Sequence, residues 1–199
     1  MSYNKLKPTK GGVNHTDGVN VTGTIAAPTS GTVTVVEHQF GPFIRLDFTL
    51  TAARIVVTDG AAAGSHGSLK LWDCPAAALS FLGARQDYTS NVEGAALTTA
   101  AGDAVFEIGV GTTAIAAAAD GTLGNGVNEN VGQAVAITNS GGTGAGTAVD
   151  GAKTTALNGT ATAIDLNLNW SGTAATIDAT SYMDVTGTIS VLFCHMGDD

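Results

Sequence analysis

The chain has 199 residues, enough for one domain with a real core. Only 13% of them are charged and 6% aromatic, glycine fills 27 positions, and Ala, Thr and Val dominate the rest, which leaves little material for solvated helix faces and favours strands joined by Gly- and Thr-rich turns. The net charge of −9 opposes a nucleic-acid partner, and no apolar run approaches the roughly 18 residues of a membrane span.

In chain order, residues 1–20 are polar and aperiodic and read as a flexible N-terminal arm. Lys5, Lys7 and Lys10 make the arm basic, whereas beyond Arg85 the only Lys or Arg is Lys153, against twelve Asp and Glu. No positively charged start is followed by an apolar stretch, so no secretory signal is expected. Residues 32–40 form the first predicted strand, and Gly41-Pro42 marks a turn. Residues 43–51 (FIRLDFTLT) then alternate strictly, with Ile44, Leu46, Phe48 and Leu50 on one face and Arg45, Asp47, Thr49 and Thr51 on the other. Shorter strands are predicted over 68–72, 77–82 and 104–110.

Residues 111–160 are low in complexity and read as a long Gly/Ala-rich loop insertion, with 114–119 able to form a helical turn or two. Residues 161–170 (ATAIDLNLNW) alternate again, placing Ile164, Leu166, Leu168 and Trp170 inward and Asp165, Asn167 and Asn169 outward. The closing strand carries Ile189, Val191 and Phe193 on one face and Ser190, Leu192 and Cys194 on the other, a pattern that predicts cover on both sides. The expected architecture is all-β: residues 21–199 as a single antiparallel β-sandwich, jelly-roll-like, around the 111–160 insertion.

The sequence carries no recognisable catalytic or ligand-binding signature. The run Gly141-Gly142-Thr143-Gly144-Ala145-Gly146 has neither the following helix nor the Lys-Ser/Thr pair of a phosphate-binding loop. His15, His38, His66 and His195 lack metal-ligand spacing, and Asp120–Glu129 as a segment lacks the Asp/Asn alternation of a calcium loop. No Ser or Cys nucleophile has a recognisable base partner. Cys74 and Cys194 sit beside apolar strand residues and read as buried free thiols, and Trp72 and Trp170 as core residues. No cofactor, metal or active site is expected, and the chain reads as non-enzymatic.

Four segments taken together, GSLKLWDCP (67–75), FEIGVGTTA (106–114), GTATAIDLNLNW (159–170) and VTGTISVLFCHMGD (185–198), resemble small structural proteins of tailed bacteriophages, of the capsid decoration (cement) type. The resemblance spans residues 65–199. It implies a virion protein made in the host cytoplasm that sits on the capsid exterior, bound to the major capsid protein and to itself, commonly as a trimer. In that setting Lys5, Lys7 and Lys10 are the shell-contact candidates. The competing expectation is a carbohydrate-binding or adhesin-type sandwich, for example in a tail fibre, which would call for exposed aromatic platforms.

Overall fold

A computed structural model describes residues 24–25, 28–59, 65–93, 104–116, 123, 129–139, 143–146, 155–159, 162–172 and 182–196. The lysines of the arm and His15 lie outside these residues, as does almost all of the 120–129 segment. The described chain is all-β, as its composition predicts. Its strands are β1 (Thr24–Ile25), β2 (Thr32–Phe40), β3 (Phe43–Asp59), β4 (Ser65–Asp73), β5 (Ala78–Glu93) and β6 (Ala104–Gly111), then β7 (Gly132–Asn139), β8 (Thr143–Gly146), β9 (Thr155–Asn158), β10 (Asp165–Gly172) and β11 (Tyr182–His195).

All pairings are antiparallel and run in the order β7-β6-β10-β4-β3-β11-β5-β8, with β1 added to β4, β2 to β3 and β9 to β5. The two ends of the path, β7 and β8, lie next to each other, so the sheet is nearly closed and barrel-like. Near-closure removes most strand edges.

The core fills the inside of this sheet. The alternation predicted for β3 holds: Ile44, Leu46 and Phe48 are fully buried. They face Ile189, Val191 and Phe193 across the β3–β11 ladder, which are also fully buried. Phe81 packs on Phe193 with ring centroids 5.6 Å apart, and Phe48 meets Trp72 edge to face at 6.3 Å. Each such large apolar side chain contributes about 1.5–3 kcal/mol by leaving water.

β3 runs well past the expected residue 51 because a bulge resets its parity. Leu50 pairs with Gly187 and Ala53 with Val185, so Thr51 and Ala52 together oppose Thr186. Ala52 takes a left-handed backbone (φ 45°), and its amide donates to the Thr186 hydroxyl at 2.9 Å. Beyond the bulge the inward residues are Ala53, Ile55 and Val57. The bend lets β3 pair first with β2 and then, over residues 57–59, with β4 on the same edge, turning one strand around a corner of the sheet.

Two expectations are corrected. The 111–160 stretch contains three strands, β7, β8 and β9, because Gly- and Thr-rich segments can still join a ladder through their backbones. Its described residues 112–116 are irregular rather than helical, and residues 143–146 of the Gly-rich run are strand β8. Asn167 and Asn169, expected outward in water, are buried. The segment after β6 crosses over them: the Asn169 side-chain amide donates to the Thr113 carbonyl (2.9 Å), and its oxygen accepts from the Ile115 amide (3.0 Å).

Candidate interaction surface

The β2–β3 hairpin closes with Phe40 opposite Phe43 around a two-residue turn, in which Gly41 adopts φ +63°, the positive value that a tight hairpin needs at its first central position. The His195 amide donates to the Pro42 carbonyl at 2.8 Å, pinning the end of β11 against this turn. Registers across β2, β3, β11 and β5 then define the outward face in rows. Phe40, Phe43, Cys194 and Ser80 form one row; His38, Arg45, Leu192 and Gly83 form the next. Val36, Asp47, Ser190 and Arg85 follow, and then Thr34, Thr49, Thr188 and Asp87.

This face is apolar at the hairpin end. Phe40 is 57% exposed, Phe43 44% and Leu192 37%, with Met196 exposed just past β11 and Val36 farther along β2. The predicted cover over Leu192 and Cys194 is therefore corrected: Leu192 is open and Cys194 only half-buried. A central strand can show apolar residues on both faces when the second face awaits a partner rather than a second layer of its own chain.

A charged knot lies within the apolar field. Asp47 Oδ2 accepts from Arg45 Nε (3.0 Å) and sits 2.8 Å from a terminal Arg45 nitrogen and 3.1 Å from His38 Nε2. Arg85 and Asp87 on β5 add one charge of each sign. The face thus balances its formal charges, in a chain whose net charge is −9.

Other polar groups hold the fold together. Lys70 bridges Asp73 and Asp165; hydrogen bonding to Asp73 raises the lysine above its ordinary pKa, and Lys70 in turn lowers Asp73. Next to them, burial, followed by the carboxylates of Asp165 and Asp73, pushes the Cys74 thiol up to about 12. The raised value keeps the thiol protonated at neutral pH, although the residue as a whole is only half-buried. Trp72 and Trp170 are core residues. An open depression of about 290 Å³ lined by Asp87, Thr89, Thr186, Gly187 and Thr188 carries a single ionisable group.

Among the described residues no group of three His, Cys, Asp or Glu side chains is placed to hold a metal, and no helix is long and apolar enough to cross a membrane. The hairpin and β11 were legible as strands, but the exposure of their outer face was not. The available signal was the outward Phe40, Phe43 and Leu192, at positions where alternation alone predicts polar residues. Comparison with protein-family models, with curated proteins and with solved structures returns no match.

Proposed function

We propose that the chain is a non-enzymatic virion structural protein of the capsid decoration type, attaching to the major capsid protein and to copies of itself on the exterior of a phage head. The observation that carries this reading is the exposed apolar field of Phe40, Phe43, Leu192 and Met196, held on a rigid sheet around a charge-balanced centre. Contiguous apolar surface of this kind marks a protein-binding face more often than a solvated one.

The strand order supports a jelly-roll reading of the nearly closed sheet. The series β3-β11-β5-β8 and the series β4-β10-β6-β7 interleave in sequence as two Greek keys do, an architecture used by viral capsid domains and by lectins. Fold alone therefore does not choose between them. A carbohydrate-binding role needs exposed aromatic platforms; the burial of Trp72 and Trp170 takes both indoles away from it and leaves the phenyl rings of Phe40 and Phe43, which lack a polar handle, on the outward face. Lys5, Lys7 and Lys10 remain the proposed basic strap, adding salt-sensitive attachment to the apolar face.

The test is co-sedimentation with capsids stripped of their decoration. The intact chain should bind saturably, and Phe43→Ser with Leu192→Ser should weaken binding at all salt concentrations. Deleting residues 1–10 should weaken it mainly at low salt. Absence of any binding to capsids, together with retention on a glycan array, would replace this reading with the adhesin one.

A further inference from the structure

The outward face of β2, β3, β11 and β5 is stepped. In its first two rows the β2–β3 side carries Phe40, Phe43, His38 and Arg45. On the β11–β5 side the paired residues of those rows are Cys194, Ser80 and Gly83, with only Leu192 of comparable size. Phe40 and Phe43 are exposed, whereas Cys194, Ser80 and Gly83 are half-buried. One side thus presents knobs and the other hollows, and the ladders hold both on one sheet.

We propose that a second copy of the chain covers this face, sheet on sheet, about a twofold axis parallel to the strands between β3 and β11. This axis lays β3 on β11 of the second copy and β2 on its β5, with each row against itself. Phe43 then faces Cys194 of the second copy, Phe40 faces Ser80, and His38 faces Gly83, so knobs meet hollows. A twofold axis across the strands would lay β2 and β3 on their own copies, knob against knob. Charge fits the same register. The aliphatic stem of Arg85 from one copy covers Val36 of the other, 51% exposed, and its guanidinium lies one strand from Asp47. Asp47 faces Ser190 and Asp87 faces Thr34, so no like charges are directly opposed in these rows. Two chains of net charge −9 repel each other overall, but across this face the formal charges cancel. Four strands about 4.8 Å apart, at the length of β2, span roughly 600 Å² before side-chain relief, near the order of the about 800 Å² per partner of a standard interface. The inference rests on the reading of this field as a protein-binding face and assigns that face to copies of the chain.

The test uses the purified full chain. Sedimentation equilibrium should give twice the chain mass. Ser80→Phe fills the hollow that Phe40 of the second copy enters, and should give the monomer although it adds apolar surface. Phe40→Ser combined with Ser80→Phe exchanges knob and hollow and should restore the dimer. Positions 40 and 80 stand three strands, about 14 Å, apart within one chain, so such rescue arises only between copies. Arg85→Glu sets a carboxylate near Asp47 of the second copy and should also dissociate the dimer. Circular dichroism, and melting of the dilute monomer, should match the wild type in each variant. A wild type that is monomeric or threefold, a dimer that survives both Ser80→Phe and Arg85→Glu, or a double variant that stays monomeric would overturn the proposal. Stripped capsids separate it from the capsid reading. A monomeric wild type that decorates them would overturn the dimer alone, whereas a dimer that leaves them bare would support the dimer and remove the capsid reading.

Discussion

Arg54 holds Asp184 in a two-pronged grip across the β3–β11 ladder, Nε on Oδ1 at 2.8 Å and a terminal nitrogen on Oδ2 at 2.7 Å. The guanidinium also stacks over Tyr182, its carbon 4.5 Å from the ring centroid. With Asp184 side-chain exposure at 10% and Arg54 at 22%, the pair is largely shielded from water. It sits just beyond the bulge, where β3 changes parity, and so locks the register after the point most prone to slip. Removing Asp184 takes the carboxylate away from a guanidinium that is largely shielded from water. Asp184→Ala should lower unfolding stability by about 3 kcal/mol in urea titrations. A variant with the wild-type midpoint would show that water already screens the pair.

The bulge itself makes a second prediction. Ala52 holds a left-handed backbone that an L side chain adopts at a cost of roughly 1–2 kcal/mol. Ala52→Gly should therefore leave stability unchanged or raise it by up to about 1 kcal/mol, the lost strain offset in part by a freer unfolded chain. Gly31 sits against the same residue, with φ +76°, and a Cβ built there would lie 1.9 Å from the Ala52 carbonyl oxygen. Gly31→Ala should lower the melting temperature clearly. If Ala52→Gly destabilises and Gly31→Ala does not, the bulge is held differently.

These two sites also show where legibility ended. The strands β2 and β11 and the first half of β3 could be read because alternation in Phe43 to Leu50 and in Ile189 to Phe193 is unbroken. The second half of β3 was hidden because Ala52 inverts the period, so Ala53, Ile55 and Val57 fall out of phase with Leu50. Asn169 looked solvated because the backbone that buries it comes from residues 113–115, more than fifty positions away. Strands β7 to β9 escaped because a ladder constrains backbone, while composition reports side chains. The exposed apolar face was missed for a related reason: alternation says which way Leu192 points, not what covers it.

The Cys74 thiol gives a pH prediction. Its folded value is raised from 9.0 to about 12. The folded state thus keeps its proton where the unfolded chain loses it. The stability contribution is complete below pH 9 and is lost as pH rises from there toward 12. Alkylation at pH 9, read by mass spectrometry, should be slow at Cys74 in the native protein and fast in urea. Rapid native labelling at Cys74 would show that the thiol is open to solvent. Asp73 acts in the opposite direction. Lys70 lowers its carboxyl below the ordinary 3.8, so its contribution is present above that value and fades as acid carries the pH through the lowered one.

Adjacent residues of β11 should respond in opposite ways to the same substitution. Val191 is fully buried and faces Leu46 of β3 and Ala84 of β5, while Leu192 points outward beside Arg45 and is 37% exposed. Val191→Asp places a carboxylate in an apolar interior without a partner, a cost of several kcal/mol that a domain of ordinary stability barely survives. The variant should be insoluble, or soluble but without a cooperative melt. Leu192→Asp places the same group in water next to a guanidinium, where the change should stay within about 0.5 kcal/mol. Its circular dichroism and melting should match the wild type, and retention on a hydrophobic-interaction column should fall as the apolar field shrinks. A destabilised Leu192→Asp variant would mean that the outward face is already covered by the chain itself, and it would remove the surface on which the proposed attachment depends.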